Sequence, residues 1–104
     1  MHPDRRLSRS TQRGRALDLQ LAACLRAGAL DAIVLGDDDG LVVAAAGPAD
    51  TCAELAARGA PATDACSFAI DGTRLHVIAH GGDPAIRRRE LARAAAGAHR
   101  ILAA

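Results

Sequence analysis

The chain has 104 residues and a net charge of +1, its 13 basic residues are all arginine, and it holds one Phe, no Trp and no Tyr. That length gives room for one domain. The near-neutral balance argues against a nucleic-acid binder, and the longest apolar run falls far short of a membrane span.

A core with so few aromatic side chains must be built from Leu, Val, Ile and Ala. Small side chains bury little area each, so the shortfall favours an oligomer. Cys24, Cys52 and Cys66 are widely spaced and odd in number, with no CxxC pair. They form neither a disulfide framework nor a structural zinc site, and no metal or cofactor is expected.

Residues 1–14 carry Arg5, Arg6, Arg9 and Arg13 with Ser8, Ser10 and Thr11. They read as a basic, flexible leader, with residues 15–104 as the folded domain. The leader lacks the apolar stretch of a signal peptide, so the expected location is cytoplasmic, with reduced thiols.

From Arg15 to Ala27 the pattern is helical. Leu17, Leu21, Cys24 and Leu25 fall at i, i+4, i+7 and i+8, one apolar stripe, and Gly28 is a natural stop. Next come two apolar runs, Ala32–Leu35 and Leu41–Ala46, flanking an acidic tip at Asp37–Gly40. This is a β-hairpin signal. Neither run alternates apolar with polar, so both strands are expected to be covered on both faces. The tip is no calcium loop: counted from Asp37, the fifth position is Leu41 and the twelfth Pro48, where the EF-hand needs an oxygen ligand and a Glu.

Gly47-Pro48 ends the hairpin. Thr51 with Glu54 predicts a capping box for a short helix ending at Arg58-Gly59. Its apolar side holds only Cys52, Leu55 and Ala56, so it depends on packing. Residues 60–64 read as a loop. In the following ACSFAI-DG-TRLHVIA, Asp71-Gly72 predicts a two-residue type I′ turn. The register then pairs Ile70 with Thr73, Phe68 with Leu75 and Cys66 with Val77. The face holding Cys66, Phe68, Ile70, Leu75, Val77 and Ala79 is assigned to the main core. The other face holds Ser67, Ala69, Arg74, His76, Ile78 and His80. Asp83 as N-cap and Pro84 at N1 open the last helix. Its predicted buried stripe is Ile86, Leu91, Ala94, Ala98, Ile101 and Leu102.

The element order is α-β-β-α-β-β-α, an α+β domain. It predicts an antiparallel sheet with the first and last helices on one face and the middle helix on the other.

Few constellations carry chemistry. Ser67 lies opposite His76, yet Asp71 sits at the turn, too far along the strand to orient that ring. Cys66 and His76 fall on opposite faces, with His76 expected to be partly exposed. Gly81-Gly82 precedes a helix but lacks the Lys and Ser/Thr of a phosphate loop. Arg87-Arg88-Arg89 and Arg93 have no aromatic partner for base stacking and read as a solvated face pairing with Glu90. No catalytic residue is assigned, and the chain reads as a non-enzymatic interaction module.

The stretch Ala32–Ala44, AIVLGDDDGLVVA, with Ala45-Ala46-Gly47, the helix Thr51–Arg58, the strand Arg74–Ala79 and the helix Pro84–Leu102, resembles the Roadblock/LC7 family over residues 15–103. The resemblance implies a profilin-like fold of that type. Two strands are visible between the second and third helices where the family has three. Bacterial members are often partners of Ras-like small GTPases, and some accelerate GTP hydrolysis. The resemblance thus implies a cytoplasmic, homodimeric regulator or scaffold of such a GTPase, with a dimer or partner surface at Ala45, Cys52, Glu54, Leu55, Ala56, Arg58 and Phe68. Glu54 and Arg58 would form its rim. The alternative is a small profilin-like ligand-sensing or protein-interaction domain without a GTPase partner.

Overall fold

Two helices lie on one face of a four-stranded sheet and a third lies on the other. The computed structural model describes residues 5–59 and 64–104, with side chains from residue 12 onward. The elements are α1 (Arg5–Gly28), β1 (Ala32–Asp37), β2 (Val42–Ala46), α2 (Ala49–Arg58), β3 (Ala65–Ile70), β4 (Thr73–His80) and α3 (Pro84–Ala103). Among the described residues the sheet order is β2-β1-β4-β3, every neighbouring pair antiparallel.

The α1–α3 face holds the larger core. Leu17, Leu21 and Cys24 of α1 meet Leu91, Ala94, Ala95 and Ala98 of α3 over Ile33, Leu35, Leu75, Val77 and Ala79 of the sheet. Side chains this small let the two helices approach closely. At Gly97 an added Cβ would run into the Gln20 side chain, which would have to move aside. On the opposite face α2 lays Cys52, Leu55 and Ala56 on Ala32, Val34 and Ile78.

The β3–β4 register is as read from the turn, with Ile70 opposite Thr73, Phe68 opposite Leu75 and Cys66 opposite Val77. Asp71 and Gly72 have φ of 50° and 80°, the left-handed pair that a type I′ turn needs. The α3 cap also agrees: the Asp83 carboxylate accepts from the Ala85 and Ile86 N–H groups at 3.0 and 3.1 Å.

Five expectations change. α1 begins at Arg5, not near Arg15, so the leader assigned to residues 1–14 is helical from its fifth residue onward. Arg and Gln are good helix formers and need no apolar stripe to continue one. Arg13 ties this extension to the far end of α3 by donating to the Ala104 carbonyl at 2.9 Å. Second, β1 is covered on both faces but β2 is not. It forms the sheet edge, with Val42 and Val43 exposed beside Leu41.

Third, the capping box does not form. α2 starts at Ala49 with Pro48 as N-cap and no side-chain cap, which puts Thr51 inside the first turn. Fourth, Ile86 is exposed, while Glu90, the expected partner of the arginines, is itself only 1% exposed. Its carboxylate accepts from Arg89 Nε at 3.2 Å and from Arg93 Nη1 at 2.9 Å. Fifth, His76, expected to be partly exposed, is buried at 8%. Of the predicted 60–64 loop, residues 60–63 lie outside the described residues.

Candidate functional site

The short α2 covers β1 and the near side of β4, leaving the β3 side of that face open. The result is a surface groove of about 450 Å³. Its walls are the β1–β2 tip (Asp38, Asp39, Gly40), the end of α2 (Ala56 to Gly59), and the outward residues Ser67, Arg74 and His76 of β3 and β4.

The sheet places these residues by alternation. Cys66 and Phe68 point to the α3 side, so Ser67 between them points the other way. Ser67 pairs with His76 across β3–β4, and His76 pairs with Gly36 across β4–β1. The three form one row across the sheet. The tip closes over the end of that row. Asp37 Oδ1 accepts from the N–H groups of Asp39 and Leu41 at 2.9 and 3.0 Å, which turns the chain so that Asp38 reaches back over β4.

Hydrogen bonds link the side chains of this row to the tip. Ser67 Oγ lies 2.7 Å from His76 Nδ1, and Asp38 Oδ1 lies 2.6 Å from His76 Nε2. A carboxylate only accepts, so Nε2 carries the proton that it donates to Asp38. In the neutral ring Nδ1 then holds a lone pair and accepts the Ser67 hydroxyl proton. A nucleophile, a base and an orienting carboxylate thus stand in line.

The sequence pairs Ser67 with His76 but offers only Asp71 as a third member. Asp38, 38 residues from His76, becomes visible only once β1 is known to pair with β4. Gly81 and Gly82 are held by the helix that follows them. Their carbonyls accept from Arg87 Nη1 at 2.9 and 3.2 Å, and the same guanidinium pairs with Asp64 at 2.8 Å. Among the described residues no group of three or more His, Cys, Asp or Glu side chains is arranged to hold a metal ion.

The surface assigned to a dimer or partner is split by the fold. Cys52, Leu55 and Ala56 are buried beneath α2 against the sheet of their own chain. Glu54 and Arg58 stand on the exposed side of α2, paired at 3.2 Å. Ala45 packs beside the α2 cluster, and its N–H donates to Asp18 of α1 at 3.2 Å. Phe68 lies on the opposite face, edge-on to His99 at 5.8 Å, and shares no surface with α2.

No family model and no curated protein matches the chain. Among solved structures it is similar to MglB of Myxococcus xanthus, with a TM-score of 0.62 over 99% of this chain and 94% of that one, at 9% identity. The fold is that of the Roadblock/LC7 domain. The match spans nearly all of both chains. No helix among the described residues is long and apolar enough to cross a membrane.

Proposed function

We propose that this chain is a non-catalytic, homodimeric regulator or scaffold that binds a Ras-like small GTPase. The observation that supports this reading is the near-complete match to a Roadblock/LC7-type structure, together with the small-GTPase partnership that the family resemblance implies. The dimer surface is proposed on the open side of α2, where Ala53, Glu54, Ala57 and Arg58 are exposed. Cys52, Leu55 and Ala56 hold the helix from below. A two-fold pairing of this helix would present one continuous surface from two copies.

The test is the solution mass of the chain at micromolar concentration, alone and with a Ras-like GTPase loaded with GTP or with GDP. A dimer that gains mass with the GTP-loaded form supports the reading. A monomer whose mass neither form changes rejects it. A gain with the GTP form that leaves the hydrolysis rate unaltered assigns the chain to scaffolding over activation.

A further inference from the structure

We propose that Ser67 is an activated hydroxyl, a site of covalent modification that takes the acyl group of a small activated ester with His76 as the base. The argument starts from the ring. His76 Nδ1 is 2.7 Å from Ser67 Oγ, and Nε2 is 2.6 Å from Asp38 Oδ1. The Asp38 carboxylate fixes the proton on Nε2, which leaves the Nδ1 lone pair on the serine hydroxyl. The two ring nitrogens are exchanged relative to the serine-protease triad. Base catalysis requires only that one nitrogen accept while the other donates to a fixed partner.

Exposure divides the labour among the three residues. The His76 side chain is 11% exposed, so water does not readily displace the serine from it. Ser67 is exposed at the groove wall. The groove volume of about 450 Å³ lies within the roughly 300–1,000 Å³ of small-molecule sites. Asp38 and Asp39 balance Arg58 and Arg74 in its lining, which suits a small neutral acyl donor.

The step balances. Ser67 Oγ bonds to the acyl carbon of the ester while its proton passes to His76 Nδ1. The bond from that carbon to the leaving oxygen breaks, and His76 returns the proton to the departing phenoxide or alkoxide. The products are an ester on Ser67 and one phenol or alcohol, with the ring neutral again. The Roadblock/LC7 resemblance does not supply this site, and the proposal stands or falls independently of any GTPase partner.

The experiment treats the full folded chain with p-nitrophenyl acetate and, separately, with a serine-directed fluorophosphonate. Intact mass and peptide mapping are followed over time. One adduct on Ser67 is expected, forming about 100-fold or more faster than on the same chain in urea, the lower end of what a positioned base contributes. Ser67→Ala should abolish it. His76→Gln keeps a donor toward Asp38 but removes the base, and should slow labelling by a similar factor. His76→Ala should regain labelling when free imidazole is added.

Asp38 is a positioning residue, and its readout is rescue by the conservative variant. Asp38→Ala leaves His76 Nε2 without its fixed acceptor and should slow Ser67 labelling, whereas Asp38→Glu, which keeps a carboxylate for Nε2, should restore it in part. Absence of a Ser67 adduct overturns the proposal, as does equal labelling of the unfolded chain. Equal labelling of a folded His76→Gln variant does the same. Circular dichroism establishes folding for each variant, and the comparison of native with urea-treated wild type needs no variant at all.

Discussion

Among single residues, the cysteines differ most in what they can do. Burial pushes the thiols of Cys24 and Cys52 up from their ordinary value. For Cys24 the next influence is Arg93, which acts the other way, and the Cys52 thiol donates a hydrogen bond to the Ala46 carbonyl at 3.4 Å. Cys66 is only partly covered, at the edge of a shallow depression lined by Asp64 and Arg88. Because the thiolate is the reacting form, iodoacetamide at neutral pH should modify Cys66 alone in the folded chain, and all three cysteines in urea. Early modification of Cys24 or Cys52 in the folded chain would mean that their layers open freely. The same shifts have a consequence for stability. Cys24 and Cys52 prefer the neutral form more in the fold than in the open chain, so their contribution is complete below the ordinary thiol range and is lost as pH rises through the folded values. Denaturant midpoints should therefore fall on the alkaline side, and Cys52→Ala should lessen that fall. At this scale the sequence is legible where a side chain's neighbours are local. Cys24 falls on an apolar stripe and is buried; Ser67 meets His76 through a hairpin register. The partner of exposed Asp38 and the burial of Glu90 are not legible in the sequence, because both are set by tertiary packing.

At the level of elements, the ends of helices separate local chemistry from tertiary control. Asp83 satisfies two N–H groups of α3 through its carboxylate, a contact that Asp at an N-cap makes without help from elsewhere. The same kind of signal at Thr51-Glu54 fails, because Gly47-Pro48 already turns the chain and Pro48 takes the N-cap position, its carbonyl accepting from the Cys52 N–H at 3.0 Å. The two helices therefore respond differently to loss of a polar side chain. Asp83→Ala should cost about 1 kcal/mol, whereas Thr51→Ala should stay within about 0.5 kcal/mol of wild type. Chemical denaturation of the two variants checks both values, and an equal loss in each would restore the capping box at Thr51. α2 is held instead by what lies beneath it. Leu55→Ala removes the largest of its three buried side chains and should cost about 2–5 kcal/mol, with amide exchange rising first along α2. Strand pairing within the two hairpins was readable from turns and periodicity. The pairing of β1 with β4, which joins them, was not, because no turn connects those strands.

For the whole molecule, the sheet ends in two different ways. At the β2 edge, α1 reaches over and Asp18 takes the Ala45 N–H, a device that blunts further strand addition. At the other edge, β3 pairs only with β4 among the described residues, and beside it α2 leaves half of that sheet face uncovered. Aliphatic side chains and alanines make the core, with Phe68 contributing from its margin, and a core of such small side chains leaves a domain of this size little stability to spare. A second copy docked on the exposed side of α2, as proposed above, would add burial there. The predicted consequence is a melting temperature that depends on protein concentration, because association stabilises the folded chain by mass action. Wild type should melt at a higher temperature as concentration is raised across two orders of magnitude, with a dimer's mass by light scattering at the upper end. Ala53→Glu introduces a charge on the exposed side of α2 without touching Cys52, Leu55 or Ala56. It should abolish the concentration dependence and halve the mass, with the far-ultraviolet spectrum unchanged. A melting temperature independent of concentration, with a monomer's mass throughout, would reject the homodimer. A dimer unaffected by Ala53→Glu would move the interface away from α2, and the unpaired side of β3 would be the next edge to test.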